Sequence, residues 1–347
     1  GTRLFFCDPP GTSAPINLFN HGANYGKNYK NENDYIFLHD QEPIHLDVHK
    51  ELFDDVIRRN RDIRPSPRGH IITSEKNSKF LEEILELYNW ESHYYFYHGW
   101  ASLDWYRGYD KTFLIPRAKH RTPTKTFISP NRIIGGKRDH RVLFMYEVFK
   151  NSLEHNHITV PKNCPEEDED ILDIAKKYTT RHPNIINILS NANLPHLFKN
   201  EETQLMSSCW ITNFDESADS LFYVPTETVF FGKRLHLTEK SFKPIVLEMP
   251  FILIATAGSL EYLRSYGFKT FDGIIDEGYD KETNDFKRIE MVGDLLKNID
   301  DMSASERQEI HNKCIPIVEH NFNHFYNGNF EKILWEELNE MLSELKQ

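Results

Sequence analysis

The chain has 347 residues, is 39% hydrophobic and carries a formal net charge of −12. This length fits two domains of ordinary size or one large domain. The acidic balance excludes a uniformly basic nucleic-acid-binding surface, although it allows a local basic cleft. No apolar run approaches the ~18–20 residues that cross a bilayer. Four widely spaced cysteines without a CxxC pattern indicate reduced thiols in a cytoplasmic compartment.

Short apolar runs alternate with a helical pattern in the first third of the chain. The runs read as buried parallel strands because each ends in polar residues. Predicted strands are Leu4–Cys7, Tyr35–Leu38, Gly69–Thr73 and Tyr94–Tyr97, and Lys79–Tyr88 has helical spacing. This alternation predicts a layered α/β fold.

The α/β pattern continues to the end of the chain. Predicted strands are Thr126–Ser129, Trp210–Asn213, Leu221–Thr226, Phe251–Ala255 and Phe268–Phe271. Predicted helices are Arg141–Leu153, Ile171–Tyr178, Ser259–Ser265, Asp285–Asn298, Ala304–Phe322 with a kink at Pro316, and Phe330–Leu345. The proline-rich basic stretch Pro116–Pro123 predicts a hinge. We therefore expect domains at 1–120 and 121–330, followed by a terminal helix at 331–347.

Polar clusters follow several predicted strands, which is where open α/β sheets bind ligands. The first is His39-Asp40-Gln41-Glu42-Pro43. Asp40 or Glu42 can serve as a general base for an attacking hydroxyl group. The alternative is an ordinary turn, since Asp and Pro are common turn residues.

An aromatic segment runs from Tyr97 to Tyr109. In a functional interpretation Trp100 belongs to a stacking wall for a sugar or base, with Asp104 and Arg107 as polar anchors. His98 is then a second candidate base. The alternative is an aromatic core cluster in which each polar tip finds a partner.

A loop with glycines and cations follows the strand Thr126–Ser129. It contains Asn131-Arg132 and Gly135-Gly136-Lys137-Arg138. Glycines let the backbone approach a ligand, and arginines pair with phosphate oxygens. The spacing matches neither a Walker A loop nor a dinucleotide fingerprint. The alternative is a basic surface loop.

The segment Phe231–Phe251 combines cations, possible helix caps and a carboxylate before an apolar strand. Its cations are Lys233, Arg234 and Lys240. Thr238 or Ser241 can cap a helix whose free N–H groups face an anion. Glu239 can accept hydrogen bonds from sugar hydroxyls, with Glu227 as a second carboxylate. The alternative is a common helix start whose charges are solvated.

Thr238-Glu239-Lys240, with Glu227 upstream and Pro250-Phe251 downstream, resembles the donor-binding segment of α1,3-fucosyltransferase-like enzymes of the GT-B fold. The match is partial, because Thr226-Glu227-Thr228 replaces the family's Glu-Asn segment. Pro244 also departs from that family's helix, and it suits a helix that starts near Ser241. The ordered motifs are similar to uncharacterised glycosyltransferases of large phages and other viruses. Those motifs are Asp40–Pro43, His98–Tyr109, Asn131-Arg132, Leu237–Pro244 and Gly258–Leu263.

This resemblance implies two Rossmann-like domains facing each other across a cleft, with a C-terminal helix that can return to the N-terminal domain. It implies a nucleotide-diphosphate-sugar donor on the C-terminal domain and an acceptor on the N-terminal domain. Donor-binding residues would be Arg132, Arg138, Glu227, Thr238, Glu239 and Lys240. Acceptor-binding residues would be Trp100, Asp104 and Arg107, with Asp40, Glu42 and His98 as catalytic candidates. No metal or other cofactor is expected, because cations neutralise the leaving diphosphate.

The acceptor stays open between a glycan and a hydroxymethylated base of viral DNA. A DNA acceptor needs a basic groove. Two candidate clusters exist, Arg58, Arg59, Arg61, Arg64 and Arg68, and Lys111, Arg117, Lys119 and Arg121, with plain surface charge as the alternative. Other readings are a non-catalytic sugar- or nucleotide-binding module, and a nucleotide-sugar epimerase or hydrolase of the same fold. His155 and His157 are not expected to bind a metal, and Asp168 and Asp170 favour a solvated helix start.

Overall fold

A computed structural model describes residues 3–7, 34–39, 43–44, 49–51, 53–54, 58, 68–112, 115–164, 169–198 and 211–344. The chain divides into two compact units. Unit 1 comprises Gly1–Ala101, Arg234–His236 and Lys332–Gln347. Unit 2 comprises Ser102–Lys233 and Leu237–Glu331.

Unit 1 is built on a four-stranded parallel sheet in the order β1-β2-β3-β4. The strands are β1 Arg3–Cys7, β2 Asp34–His39, β3 Arg68–Thr73 and β4 Glu91–Tyr94. Helix α1, Lys79–Tyr88, connects β3 to β4. It begins at Ser78, whose hydroxyl accepts from the Leu81 N–H, and ends at Asn89, which adopts the left-handed conformation. The parallel strands and the crossover helix confirm the predicted α/β class for this part of the chain.

Two elements near β4 differ from the sequence prediction. The predicted strand Tyr94–Tyr97 is wrong in position, because β4 ends at Tyr94 and helix α2, Tyr97–Trp105, follows. Strand and helix are hard to distinguish in this segment because aromatic residues crowd both sides of it. The division between the units falls within α2, after Ala101.

Unit 2 contains a three-stranded parallel sheet in the order β6-β5-β7. The strands are β5 Lys125–Ser129, β6 His157–Ile158 and β7 Ser220–Tyr223. Beyond β7 the ladder continues onto residues 250–254, since the Tyr223 N–H donates to Pro250 and the Glu227 N–H to Ile254. Phe251 and Ile254 pair in parallel with Tyr223 and Thr226. The predicted strand at Phe251–Ala255 is thus present as two bridges.

Nine described α-helices follow β5 along the chain. They are α3 His140–Lys150, α4 Ile171–Lys176, α5 Ile185–Asn191, α6 Phe214–Ala218, α7 Lys243–Val246, α8 Ser259–Ser265, α9 Asp285–Asp300, α10 Ala304–Tyr326 and α11 Asn329–Glu344. Helix α3 is buried on every side from His140 to Val148, as a central helix must be. Helix α10 contains Pro316. The predicted strand Phe268–Phe271 is wrong, and residues 211–213 form none.

The terminal helix α11 belongs to unit 1 from Lys332 onward. The Phe96 N–H donates to the Glu337 carboxylate at 3.1 Å, and the Trp335 ring meets the Trp100 ring edge-on at 4.7 Å. The described fold is therefore mixed α/β with small parallel sheets. Among the described residues, no helix is long and apolar enough to cross a membrane.

Candidate functional site

The strands of unit 2 end in polar residues that hydrogen-bond with each other. Asn131 follows β5 and is 1% exposed. Its amide nitrogen donates to the Ser129 carbonyl, and its amide oxygen accepts from the Thr226 hydroxyl at 2.7 Å. Asn131 thus joins the carboxyl end of β5 to the chain that continues β7. Its side chain is committed to this join rather than to a ligand.

Glu227 is the centre of this polar edge, and its side chain is fully buried. One carboxylate oxygen accepts from the Thr238 N–H at 3.1 Å and the Ser241 hydroxyl at 2.6 Å. The other accepts from the Thr238 hydroxyl at 2.6 Å and the Thr228 N–H at 3.3 Å. These four bonds fill the usual acceptor capacity of a carboxylate. Glu227 therefore holds the Thr238–Ser241 turn in place, and its oxygens are engaged before any ligand arrives.

Lys240 is presented by that turn. Its ammonium nitrogen lies 2.9 Å from the Glu239 carboxylate, 3.1 Å from the Thr238 hydroxyl oxygen and 3.3 Å from the Thr228 hydroxyl oxygen. The Thr238 hydroxyl donates to Glu227 and accepts from Lys240, so it couples the buried carboxylate to the cation. The Lys240 side chain is 27% exposed. The ammonium group is therefore oriented by neighbours and still reachable by an anion.

The helix after the turn is short. Glu239–Ser241 forms a 3-10 turn whose N-cap is Thr238, and α7 starts only at Lys243 with Pro244 in its first turn. The expectation that Glu239 and Lys240 precede the helix proper is confirmed. The four-residue α7 is much shorter than the helical run predicted from the sequence.

His140, the first residue of α3, packs beneath this edge. Its Nε2 donates to the Glu227 carbonyl at 3.0 Å, and its ring stacks on Phe230. Burial lowers the pKa of His140 well below its ordinary value, and the charges of Arg141, Arg138 and Arg288 lower it further. The imidazole is therefore neutral at pH 7. Because Nε2 holds the proton, the buried Nδ1 is an acceptor, and it has no hydrogen-bond partner among the described residues.

Two buried arginines brace the loops at the same edge. Arg141 donates to the carbonyls of Ile133 and Thr226. Arg288 donates to the carbonyls of Ala255, Glu282 and Phe230. A guanidinium group suits this role because its five N–H donors reach several carbonyls at once.

The two arginines predicted to bind phosphate lie in the loop between β5 and α3. Arg132 and Arg138 are both half-buried. Arg138 follows Gly136, whose φ of 59° lies in the left-handed region. Arg138 is near enough to His140 to lower its pKa. The structure therefore brings Arg138, Glu227, Thr238, Glu239 and Lys240 to one end of the unit 2 sheet.

A second turn at this edge is structural. The carboxylate of Asp280 accepts from the Leu260 N–H at 3.1 Å, and its carbonyl accepts from the Gly258 N–H. Asp280 thereby caps the start of α8, where N–H groups are otherwise unpaired. Burial raises the pKa of Asp280, while these backbone bonds lower it in part. Asp280, the last residue of the acidic turn Asp276–Asp280, therefore has a structural role.

The described catalytic and acceptor candidates belong partly to unit 1 and partly to unit 2. Asp40 and Glu42 lie outside the described residues. His98 is buried in unit 1 and meets His236 edge-on at 5.3 Å. Trp100 is in unit 1 against Trp335, whereas Asp104 and Arg107 are exposed in unit 2 and pair with each other at 2.6 Å.

Arg234, one of the cations of the Phe231–Phe251 segment, already has two partners in the structure. It belongs to unit 1, where it donates to the Ile44 carbonyl at 2.7 Å and lies 3.4 Å from the Glu75 carboxylate. Its charge is therefore opposed by a buried glutamate of the same unit. Sequence analysis overlooked Glu75, which follows β3 as Glu227 follows β7. The strand-end position was the available signal.

The second predicted basic cluster is partly buried within unit 2. Arg117 pairs with the Glu248 carboxylate through two nitrogens, and Arg121 donates to the Glu248 carbonyl. Burial lowers the pKa of Arg121 to about 10, with Glu248 opposing the shift. Two of the four cations in that cluster are therefore packing residues. In the first cluster Arg58 is exposed, and Arg59, Arg61, Arg64 and the Arg68 side chain lie outside the described residues.

His155 and His157 do not share a partner. His155 lies 3.1 Å from the Asp300 carboxylate, and His157 lies 3.3 Å from that of Asp219. Of the predicted Asp168 and Asp170 pair, Asp168 lies outside the described residues and Asp170 caps α4. Cys164 and Cys314 are buried free thiols, which fits the expectation of reduced cysteines.

Comparison with known proteins adds no family. No protein-family model matches the chain, and no curated protein sequence matches it. The fold and the polar edge of unit 2 are therefore the basis for a functional proposal.

Proposed function

We propose that the protein is a glycosyltransferase of the GT-B type that transfers a sugar from a nucleotide-diphosphate donor to an acceptor hydroxyl. The observation that carries this proposal is the Thr238–Ser241 turn, which Glu227 holds at the carboxyl end of a parallel sheet and which presents Lys240. Ligands of open α/β sheets bind at such strand ends. A sugar joined to a diphosphate needs both cations and hydrogen-bond acceptors there.

The chemistry follows from the charges of the turn. Transfer breaks the bond between the anomeric carbon and the diphosphate, so negative charge grows on the leaving oxygen. The Lys240 ammonium would exchange its contact with Glu239 for a phosphate oxygen, and Arg132 and Arg138 would add further positive charge. Glu239, released from Lys240, would accept from donor hydroxyls. Glu227 keeps the turn in register throughout.

The acceptor side of the proposal rests on the resemblance. Asp40, Glu42 or His98 would take the proton of the attacking hydroxyl. We favour a glycan acceptor over modified viral DNA, because Arg117 and Arg121 are committed to Glu248 rather than to a basic groove. Incubation with glycan acceptors and with duplex DNA containing hydroxymethylcytosine decides between them by mass spectrometry.

The test of the donor site is a panel of UDP-, GDP- and CMP-sugars. We expect one nucleotide class to raise the melting temperature and to be released as free nucleotide when acceptor is present. Absence of a shift with every nucleotide would refute the donor site. Binding without release favours the non-catalytic module, and release without an acceptor favours a hydrolase.

Independence from metal is tested at the same time. Turnover is measured with and without EDTA at a temperature where circular dichroism shows the chain folded in both buffers. We expect equal rates, because cationic side chains do the work that a metal would do. A loss of rate in folded protein would contradict this part of the proposal.

A further inference from the structure

Two histidines and a glutamate share one face of the unit 1 sheet. His70 lies on β3, and Glu91 and His93 lie on β4. The parallel register sets His70 beside Glu91 and Ile72 beside His93. Because side chains two residues apart on a strand point to the same face, all three project together. The grouping is thus a consequence of strand register and does not depend on a loop.

The candidate ligand atoms are close. His70 Nδ1 and His93 Nε2 lie 3.0 Å apart, and His70 Nδ1 lies 3.8 Å from a Glu91 carboxylate oxygen. One ligand atom from each of the three residues lies within 4.8 Å of the others. Two nitrogens bound tetrahedrally to zinc at 2.0–2.1 Å are separated by about 3.3 Å. A cation would therefore need only a small separation of the two rings.

A second carboxylate stands behind His93. Its Nδ1 is a buried atom that makes no hydrogen bond within the part of the chain that the structure describes, and it lies 3.6 Å from the Glu344 carboxylate near the end of α11. Metal-bound histidines usually direct their other ring nitrogen to a carboxylate or carbonyl, which orients the ring and raises its basicity. His93 has this arrangement, with Nε2 toward His70 and Nδ1 toward Glu344.

Unit 2 offers a competing group of Glu147, His182 and Glu290. There the ammonium of Lys150 already lies 3.0 and 3.2 Å from the two Glu147 oxygens. That buried carboxylate thus has a cation of its own, and a second cation would meet the repulsion of the lysine.

We propose that unit 1 binds a zinc-type divalent cation through His70 Nδ1, His93 Nε2 and the Glu91 carboxylate, with Glu344 orienting His93. Two imidazoles and one carboxylate suit zinc better than Mg²⁺ or Ca²⁺, which prefer oxygen ligands. Three protein ligands leave a fourth position for water. The ion would tie β3, β4 and α11 together, and its role is independent of the proposed sugar transfer.

The experiment uses the full chain after chelator treatment, titrated with Co²⁺ and Zn²⁺. We expect one equivalent to bind, with the visible absorption of tetrahedral Co²⁺ and a rise in melting temperature. Mg²⁺ should give neither. His70→Asn and His93→Asn should each weaken binding at least about 100-fold, and Glu344→Gln by about 10- to 100-fold. His182→Asn, in the competing group, should leave binding unchanged.

The proposal is overturned if the wild-type chain binds no stoichiometric ion, or if binding survives both histidine substitutions. Loss of binding in His182→Asn alone would move the site to unit 2 and equally overturn it. If the histidine variants do not fold, Glu91→Gln and Glu344→Gln decide, because those side chains are 51% and 67% exposed. Unchanged affinity in both glutamine variants would refute the assignment.

Discussion

Glu227 and Glu248 are two buried glutamates of unit 2 whose surroundings differ in one respect. Both are nearly inaccessible, at 0% and 2% exposure. Glu248 faces arginines, since Arg117 pairs with its carboxylate and Arg121 with its carbonyl. The four hydrogen bonds to the Glu227 carboxylate come instead from hydroxyl and backbone N–H groups.

This difference separates a packing residue from a site residue. At Glu248 the glutamate neutralises positive charge of the paired arginines, so little of that charge is available to a ligand. At Glu227 the cation does not bond to the carboxylate directly. The Lys240 ammonium donates to the Thr238 hydroxyl, and that hydroxyl donates to the Glu227 carboxylate. A half-buried ammonium held by the Glu239 carboxylate and two threonine hydroxyls can exchange these partners for an anion. The comparison predicts that substitutions at Glu248 change stability, whereas those near Glu227 also change ligand affinity.

The largest effect is expected for Glu248→Gln. Removing the charge leaves the half-buried guanidinium group of Arg117 and the buried one of Arg121 without a counter-charge, and breaking a buried pair costs about 3–5 kcal/mol. Because Arg117 is partly exposed, we expect a loss near about 3 kcal/mol in the free energy of unfolding, measured by urea denaturation. Nucleotide affinity of the folded fraction should not change.

A matched control is Glu309→Gln on the exposed surface of α10. Glu309 pairs with Lys313 at 2.7 Å, and both side chains are more than half exposed. Exposed pairs contribute about 0–1 kcal/mol, so this variant should unfold close to the wild type. Equal destabilisation of the two variants would contradict the role given to Glu248.

The second effect concerns Glu227→Gln. The amide nitrogen would replace an oxygen that accepts two hydrogen bonds, and it would face donors instead. Leaving buried donors unsatisfied costs about 1–3 kcal/mol. We expect about 2 kcal/mol of destabilisation together with a roughly tenfold loss of nucleotide affinity, as the turn loses its register. Calorimetric titration and urea denaturation measure the two quantities. Destabilisation with unchanged nucleotide affinity would mean that Glu227, like Glu248, is a packing residue.

The third effect is a pH dependence from His140, which donates to the Glu227 carbonyl. Burial lowers its pKa in the folded state well below the value near 6.5 expected when unfolded. Below about pH 6.5 the unfolded chain therefore binds a proton that the folded chain does not. As the pH falls below about 6.5, the free energy of unfolding should decrease by about 1.4 kcal/mol per pH unit, until the pH reaches the folded-state pKa.

His140→Gln keeps an N–H donor and removes this titration. The difference between the urea midpoints at pH 7.5 and pH 5.5 should therefore be smaller for this variant than for the wild type. The comparison is a difference between two pH values, so a uniform packing cost of the substitution cancels. If the wild type and the variant lose the same stability between pH 7.5 and 5.5, folding does not lower the pKa of His140.

Local sequence signals were sufficient to predict many of the helices and strands. Helices α1 and α8 match their predicted bounds because periodic apolar residues lie between clear start and stop signals, such as Ser78 and Asn89. The predicted strand Phe268–Phe271 failed for the opposite reason. A four-residue segment such as Phe268-Lys269-Thr270-Phe271 forms a strand only if another strand pairs with it, and the segment itself does not show whether such a partner exists.

The site was predictable only where its parts are adjacent in the chain. Thr238, Glu239 and Lys240 came from one local motif, and Glu227 precedes it closely. His140 bonds to Glu227 across 87 positions, and Arg234 meets Glu75 across 159. No spacing rule connects such pairs, so sequence analysis described Arg234 only as a cation of the Phe231–Phe251 segment and overlooked Glu75.

The smallest effect on stability, and the most direct test of the comparison, is Lys240→Met. The methionine side chain keeps the length and apolar stem of lysine, but the buried Glu239 carboxylate loses its ammonium partner, so we expect a loss of about 1 kcal/mol in the free energy of unfolding. Loss of one charge-assisted contact to phosphate should weaken binding about tenfold, which corresponds to about 1.4 kcal/mol. Lys281→Met, an exposed lysine elsewhere in unit 2, serves as the control for net charge. Equal losses of affinity in both variants would mean that overall charge attracts the nucleotide. A loss confined to Lys240→Met means that the turn held by Glu227 binds the diphosphate.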